Sequence, residues 1–125
     1  MNIPEDLRYT KDHEWVRVDG PRATVGITDY AQDALGDVVY VDVPAVGGTF
    51  ELGATVSEVE STKSVSEIYA PLSGTVVESN AALADQPDQV NQDPYGSGWM
   101  FVIDCSDPAE LEQLLDPAAY RGLVE

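Results

Sequence analysis

Along this chain hydrophobic residues recur mostly at every second position, in short runs separated by Gly, Pro and Asp. Glu14 to Asp19 alternates, with Val16 and Val18 on one face and Trp15 and Arg17 on the other. Asp19-Gly20-Pro21 reads as a turn, and Arg22 to Ile27 alternates again with Ala23, Val25 and Ile27 together, so the two runs predict a hairpin. The period then changes. Thr28 is placed to cap a short helix through Leu35, with Tyr30, Ala31, Ala34 and Leu35 at helical spacing and Gly36 positioned to end it. Val38 to Val43 returns to strand, with Val39, Val41 and Val43 expected on the inner face, and Pro44 stops it.

Gly47-Gly48 and Gly53 punctuate short strands around Phe50 and up to Val56. A second hairpin is predicted over residues 56–69: Val56 and Val59 precede, Val65, Ile68 and Tyr69 follow, and Lys63 sits at the tip among Ser61, Thr62 and Ser64. Pro71 to Gly74 makes another turn, and Gly74 to Ser79 is a strand with Val76 and Val77 on opposite faces. Ala81 to Gly98 is rich in Asn, Asp, Gln and Pro and predicts a long loop with at most one turn of helix. Trp99, Phe101, Ile103 and Cys105 share one face of a late strand. Asp107-Pro108-Ala109-Glu110 supplies an N-cap, a proline at the first helical position and an acid three residues after the cap, with Leu111, Leu114 and Leu115 on one face beyond it. Asp116-Pro117 repeats the signal, so a C-terminal helical segment is expected over about residues 107–122. Many short strands with minor helices describe a mainly β fold, an antiparallel sandwich or flattened barrel, in a single domain over residues 1–125.

Charge narrows the partners. With 6 Lys+Arg against 23 Asp+Glu, a net charge of -17, the chain is unsuited to nucleic acid or anionic membrane, both of which require cationic surfaces. Hydrophobic residues at 43% nevertheless provide a core, so the acidity belongs to the surface of a folded domain and favours protein partners with basic rims. Cys105 is the only cysteine and forms no internal bridge. That fits a reducing cytoplasm, and the start Met-Asn-Ile-Pro-Glu-Asp has no signal-peptide or transit-peptide character.

Most catalytic machinery is excluded by the same count. One histidine and one cysteine do not make a zinc site, and there is no phosphate-cradling glycine loop before a lysine and no nucleophile elbow. His13 and Glu14 are neighbours at a strand start, where adjacent side chains point to opposite faces, so an acid–base dyad is not expected. Lys63 is left, and the chain's one other lysine is Lys11.

The run Glu60-Ser61-Thr62-Lys63-Ser64-Val65-Ser66-Glu67, followed by Ala70-Pro71-Leu72-Ser73-Gly74, resembles the lipoylation hairpin of the glycine cleavage system H-protein family. Three further blocks match in order and spacing: His13-Glu14-Trp15; Gly26 to Gln32 with Leu35-Gly36-Asp37; and Val90 to Gly96 with Gly98-Trp99. Many members have Ser-Val-Lys-Ala where this chain has Ser61-Thr62-Lys63-Ser64, but the replacements stay small.

The resemblance implies the lipoyl-biotinyl carrier type of fold, a barrel-sandwich hybrid, and a non-catalytic carrier. By that likeness lipoate is amide-linked to Lys63, with Glu60, Ser61, Thr62 and Ser64 presenting it to a lipoate- or octanoyl-attaching enzyme. The swinging arm keeps its reactive end at high effective concentration near a docked partner. The implied partners are a pyridoxal-phosphate glycine decarboxylase that loads an aminomethyl group, an aminomethyltransferase that passes the carbon to tetrahydrofolate, and a dihydrolipoamide dehydrogenase that reoxidises the dithiol. Glu14 and Glu67 match the cleft in which the family is thought to dock the loaded arm.

Other readings share parts of the pattern. A lipoyl domain of a 2-oxoacid dehydrogenase complex has the hairpin, although such shorter domains lack the His-Glu-Trp block and the C-terminal helices. A biotin carrier has methionines flanking its lysine, where Thr62 and Ser64 stand here. A lipoyl-relay protein or an unmodified acidic binding module would use the same surface without the glycine cleavage role.

Overall fold

The computed structural model describes all residues, Met1–Glu125. In chain order the strands are β1 (Arg8–Tyr9), β2 (Glu14–Asp19), β3 (Arg22–Ile27), β4 (Val38–Asp42), β5 (Thr49–Phe50), β6 (Thr55–Ser61), β7 (Val65–Tyr69), β8 (Gly74–Ser79) and β9 (Phe101–Cys105). Helix α1 (Asp29–Leu35) lies between β3 and β4, and α2 (Ala82–Asp85) and α3 (Gln89–Gln92) between β8 and β9. A 3-10 helix (Pro108–Gln113) and α4 (Pro117–Val124) close the chain. The strands form a six-stranded sheet in the order β1-β2-β3-β9-β8-β5 and a three-stranded sheet β4-β6-β7, and the ladders are antiparallel.

Alternation explains the core between them. Val16, Val25, Val76 and Ile103 from the larger sheet pack with Val41, Val59 and Ile68 from the smaller one, and all are essentially inaccessible to solvent. A buried branched aliphatic side chain contributes about 1.5–3 kcal/mol, so this cluster dominates the apolar driving force. A second cluster covers the outer face of β2, where Trp15 packs with Ile3, Leu7, Tyr9 and Tyr120 of α4. Tyr9 and Tyr120 stack with ring centroids 4.6 Å apart and planes within 9°. Trp15 lies across Gly26 of β3, where an added Cβ would fall 2.7 Å from its ring atoms, so glycine is required for this close approach.

The structure corrects five local expectations. Val39, expected inside, is 53% exposed, while Val38 and Val41 are buried. The register between β4 and β6 shifts between Val38 and Tyr40, and this bulge inverts the alternation. Val18 is 43% exposed although Val16 beside it in the pattern is buried, because β2 runs out beyond the core toward the Asp19–Gly20 turn. The segment Ala81 to Gly98 holds two helical turns rather than at most one, pinned by the fully buried Leu83 and Val90. The expected apolar face of Leu111, Leu114 and Leu115 is divided. The first helix ends as a 3-10 turn at Gln113, and Leu115 is an extended residue that exchanges backbone hydrogen bonds with Tyr9 (2.9 and 2.7 Å). The last helix also runs past Gly122 to Val124.

No helix is long and apolar enough to cross a membrane.

Candidate functional site

Antiparallel pairing from Thr55↔Tyr69 to Glu60↔Val65 carries the chain outward to Lys63 and back. At the tip the Ser61 hydroxyl accepts from the backbone N–H groups of Lys63 (3.3 Å) and Ser64 (3.1 Å), and Ser61 N–H donates to Ser64 O (2.8 Å). A serine is favoured here because its short side chain satisfies turn donors that strand pairing leaves open. Thr62 N–H donates to Asp37 O (3.0 Å), tying the tip to the turn after α1. Thr62, Lys63 and Ser64 are exposed, and Ser61 and Glu60 are half-buried. Lys63 takes part in neither salt bridge of the molecule, both of which belong to Arg121. The amine therefore stands unpaired among small side chains.

Two adjoining hollows lie beside β7, one beyond Tyr69 at the root of the hairpin, the other running along the strand from Val65 near the tip to Tyr69. One, of about 610 Å³, is lined by Glu14 and by Thr10, Leu52, Pro71 and Leu114 among others; the second, of about 620 Å³, is lined by Glu67, Glu58, Val65 and His13 among others. They share Lys11, Asp12 and Tyr69. Thus Glu14 and Glu67 belong to one continuous region of surface, while Lys63 lines neither hollow.

The two acids differ in kind. Glu67 is exposed and accepts a hydrogen bond from the Tyr69 hydroxyl (3.0 Å), an interaction that raises the Tyr69 phenol above its usual value. Glu14 is only 1% exposed. Its Oε1 accepts from the Thr10 hydroxyl (2.7 Å) and its Oε2 from Tyr69 N–H (3.0 Å), so the carboxylate staples β2 to the root of the lysine hairpin. Burial pushes its pKa up to about 7, against the opposing pull of the Thr10 and Tyr69 hydrogen bonds. Glu14 is therefore a carboxyl poised between neutral and charged forms, in the wall of a hollow that also carries Lys11 and Asp12.

His13 takes a different direction. Its backbone is left-handed (φ 69°), and its Nδ1 lies 2.9 Å from the Tyr120 hydroxyl, which in turn meets Thr28 Oγ1 at 2.7 Å. The ring packs at 4.6 Å on Tyr30, and burial lowers its pKa below the usual 6.5 even though Asp12 acts in the other direction. His13 and Glu14 share no hydrogen bond: one fastens α4, the other the hairpin.

Sequence reasoning passed over two residues of this region. Tyr69 contacts both acids, and Thr10 holds Glu14. The available signals were spacing: Tyr69 lies two positions after Glu67 and so on the same face of β7, and Thr10 lies four before Glu14 across a tight turn.

A family model described as glycine cleavage H-protein matches residues 7–125. The chain is 56% identical over 125 residues to a glycine cleavage system H protein of Anaeromyxobacter sp. (strain K), covering 100% of this chain and 98% of that protein. It is 54% identical to one from Thermus thermophilus, again over 100% and 98%. Among solved structures, a glycine cleavage system H protein from Mycobacterium marinum superposes with a TM-score of 0.88 at 44% identity, covering 96% of this chain and 97% of that one. Two antiparallel sheets with a few short helices are thus the lipoyl-carrier barrel-sandwich fold. The match includes the N-terminal block and the C-terminal helices, so the reading as a 2-oxoacid dehydrogenase lipoyl domain is not favoured.

Proposed function

The chain belongs to the glycine cleavage H-protein family, and from that premise we propose that Lys63 is where this lipoyl-carrying shuttle bears its lipoyl group. One observation carries the assignment: Lys63 is an exposed, unpaired amine at the tip of a two-stranded hairpin whose neighbours are Thr62 and Ser64. The only other lysine, Lys11, lies on the β1–β2 turn against the hollows. Glu60, Ser61, Thr62 and Ser64 form the surface that the lipoate- or octanoyl-attaching enzyme reads; Ser61 shapes the turn and Thr62 fixes it to the body of the protein.

When bound, the lipoyl group supplies a reducible disulfide that accepts a one-carbon unit and electrons. The protein's own contribution is placement and shelter, so it acts as a non-catalytic carrier. Glu14 and Glu67 provide acidic sites for a positively charged end of the arm, and Leu52, Pro71 and Leu114 wall off part of the hollow around Glu14 from water. A buried carboxyl that titrates near neutrality meets an incoming cation at low cost, because the cation offsets the desolvation that keeps Glu14 protonated. The partners are glycine decarboxylase, aminomethyltransferase and dihydrolipoamide dehydrogenase, and the net charge of -17 favours basic docking rims on them.

Intact mass after incubation with lipoate, ATP and a lipoate ligase tests the attachment. One lipoyl adduct is expected on the wild type and none on Lys63→Ala; an unmodified wild type, or an adduct that persists in Lys63→Ala, would overturn it. Lipoylated protein should then support glycine-dependent CO2 exchange by glycine decarboxylase, and failure to do so would remove the carrier role.

A further inference from the structure

Asn91, in α3, belongs to the polar segment between β8 and β9 and touches neither hollow. Its side chain makes three hydrogen bonds around one short turn. Oδ1 accepts from Val38 N–H (2.8 Å), and Nδ2 donates to Gly36 O (2.8 Å) and to Gln32 Oε1 (3.0 Å). These bonds clasp both ends of the turn that joins α1 to β4. Between them, Asp37 presents its carbonyl to Thr62 N–H at the hairpin tip (3.0 Å). The neighbouring Val90 is fully buried, so the clasp is mounted on a fixed point of the core.

The same turn is the bed on which Lys63 lies. Gly36 adopts φ 80° and ψ -155°, a conformation that only glycine holds without strain. Its bare surface faces the lysine stem: a Cβ built at Gly36 would lie 3.4 Å from Lys63 Cε and 3.9 Å from Nζ. Helix α1 has no basic residue in its last turn, and Lys63 brings a cation to the helix's carbonyl end, where the backbone dipole favours it.

We propose that Asn91 is a positioning residue for the modification of Lys63, acting through the Gly36–Val38 turn to hold the amine in one place before the acylating enzyme arrives. A free lysine stem samples many rotamers, and ordering it costs conformational entropy during acyl transfer. Here the turn does part of that ordering in advance. In the transfer itself Lys63 Nζ, having given up one proton, attacks the carbonyl carbon of an acyl adenylate. The N–C bond forms, the bond from that carbon to the adenylate phosphate oxygen breaks, AMP leaves with the electron pair, and a second proton is lost to give the neutral amide. Asn91 touches none of these atoms. The inference rests on Lys63 being the attachment site.

The test uses the full unmodified chain, uniformly labelled with 13C and 15N. Its two lysines make Lys11 an internal reference for an exposed side chain. Side-chain relaxation should show Lys63 Cε distinctly more ordered than Lys11 Cε in the wild type. In Asn91→Asp, which keeps an acceptor for Val38 N–H but has no donor for Gly36 O or Gln32 Oε1, Lys63 should become as mobile as Lys11. With lipoate, ATP and a lipoate ligase, kcat for the carrier should fall about tenfold in Asn91→Asp, while KM stays within roughly twofold because the hairpin surface is intact; a mere loss of folded protein would raise KM instead. Equal mobility of the two lysines in the wild type would overturn the proposal, and so would unchanged mobility and kcat in the variant. The wild-type comparison needs no variant and no modification, so equal mobility there overturns the proposal even if Asn91→Asp misfolds. Absence of any adduct on the wild type would instead remove the attachment-site reading.

Discussion

Glu14 yields the most demanding prediction, because its burial and its hydrogen bonds act in opposite directions. The side chain is 1% exposed, and its pKa rises from the usual 4.5 to about 7 with burial as the leading cause. A folded-state pKa above the unfolded one means that the native protein binds more protons than the unfolded chain between those values, so stability falls as pH rises across the interval. The contribution is fully present below about 4.5, is lost progressively toward about 7, and is constant beyond. At about 1.4 kcal/mol per pH unit, the interval corresponds to about 3 kcal/mol.

Glu14→Gln isolates this effect from the many other acids. The amide keeps the acceptor for Tyr69 N–H through Oε1, but its Nε2 finds no free lone pair on Thr10 Oγ1, which already accepts from the N–H groups of Asp12 and Glu14; this adds a pH-independent offset that comparison across pH removes. Urea unfolding at intervals from pH 4.5 to 8.5 should show the stability of Glu14→Gln rising relative to wild type by about 3 kcal/mol across the range. A 13C titration of the Glu14 carboxyl should have its midpoint near 7. If the difference between the two proteins is flat with pH, or if the carboxyl titrates near the usual 4.5, the carboxyl is solvated and the account of a poised acid fails.

Three other outcomes are expected. Gly26→Ala places a Cβ 2.7 Å from the Trp15 ring and should cost about 1–3 kcal/mol by overpacking, read by denaturation with tryptophan fluorescence. Tyr120→Phe removes the hydroxyl between His13 Nδ1 and Thr28 Oγ1 and should cost about 1–3 kcal/mol, because Thr28 is fully buried and loses a partner. His13 should titrate below 6.5 in the folded protein, so its contribution to stability is present above that pH and is lost as pH falls; an NMR midpoint at or above 6.5 would contradict the burial argument.

Which parts of this architecture could be read from residue order depends on the range of the interactions involved. The hairpin of β2 and β3 and the cap at Thr28 are local: alternation, a Gly turn and a hydroxyl at an N-cap act over a few residues, and Thr28 Oγ1 indeed accepts from Ala31 N–H. Val39 could not be placed in this way. Its exposure follows from a bulge against Glu60 and Ser61, more than twenty residues away, and no local pattern announces an unpaired residue. Leu115 is similar, since its extended state is decided by the backbone of Tyr9 at the other end of the chain.

The functional region divides along the same line, and the division has a chemical meaning. Lys63 could be singled out from residue order because the features that the proposed attachment site requires, exposure, small neighbours and a turn, are properties of contiguous sequence. The role of Asn91 could not be read there, although the residue lies in one of the blocks that carry the family likeness, because its three hydrogen bonds reach residues 53 to 59 positions away in the chain. Nor could the burial of Glu14, which depends on Tyr69 coming back along β7 to offer its N–H. Tyr69 gives that strand a double connection: its backbone binds a carboxyl inside the fold and its hydroxyl binds Glu67 on the surface, while the strand's other end leads to Lys63. One antiparallel strand thus sets Lys63 relative to the two acids, and a Gly26- and Trp15-packed β2 fixes Glu14 from the other side. On the proposed reading a tethered group samples widely only if Lys63 and the acids keep their relation, and β7, joined through Tyr69 N–H to Glu14 on β2 of the larger sheet, is the element that keeps it.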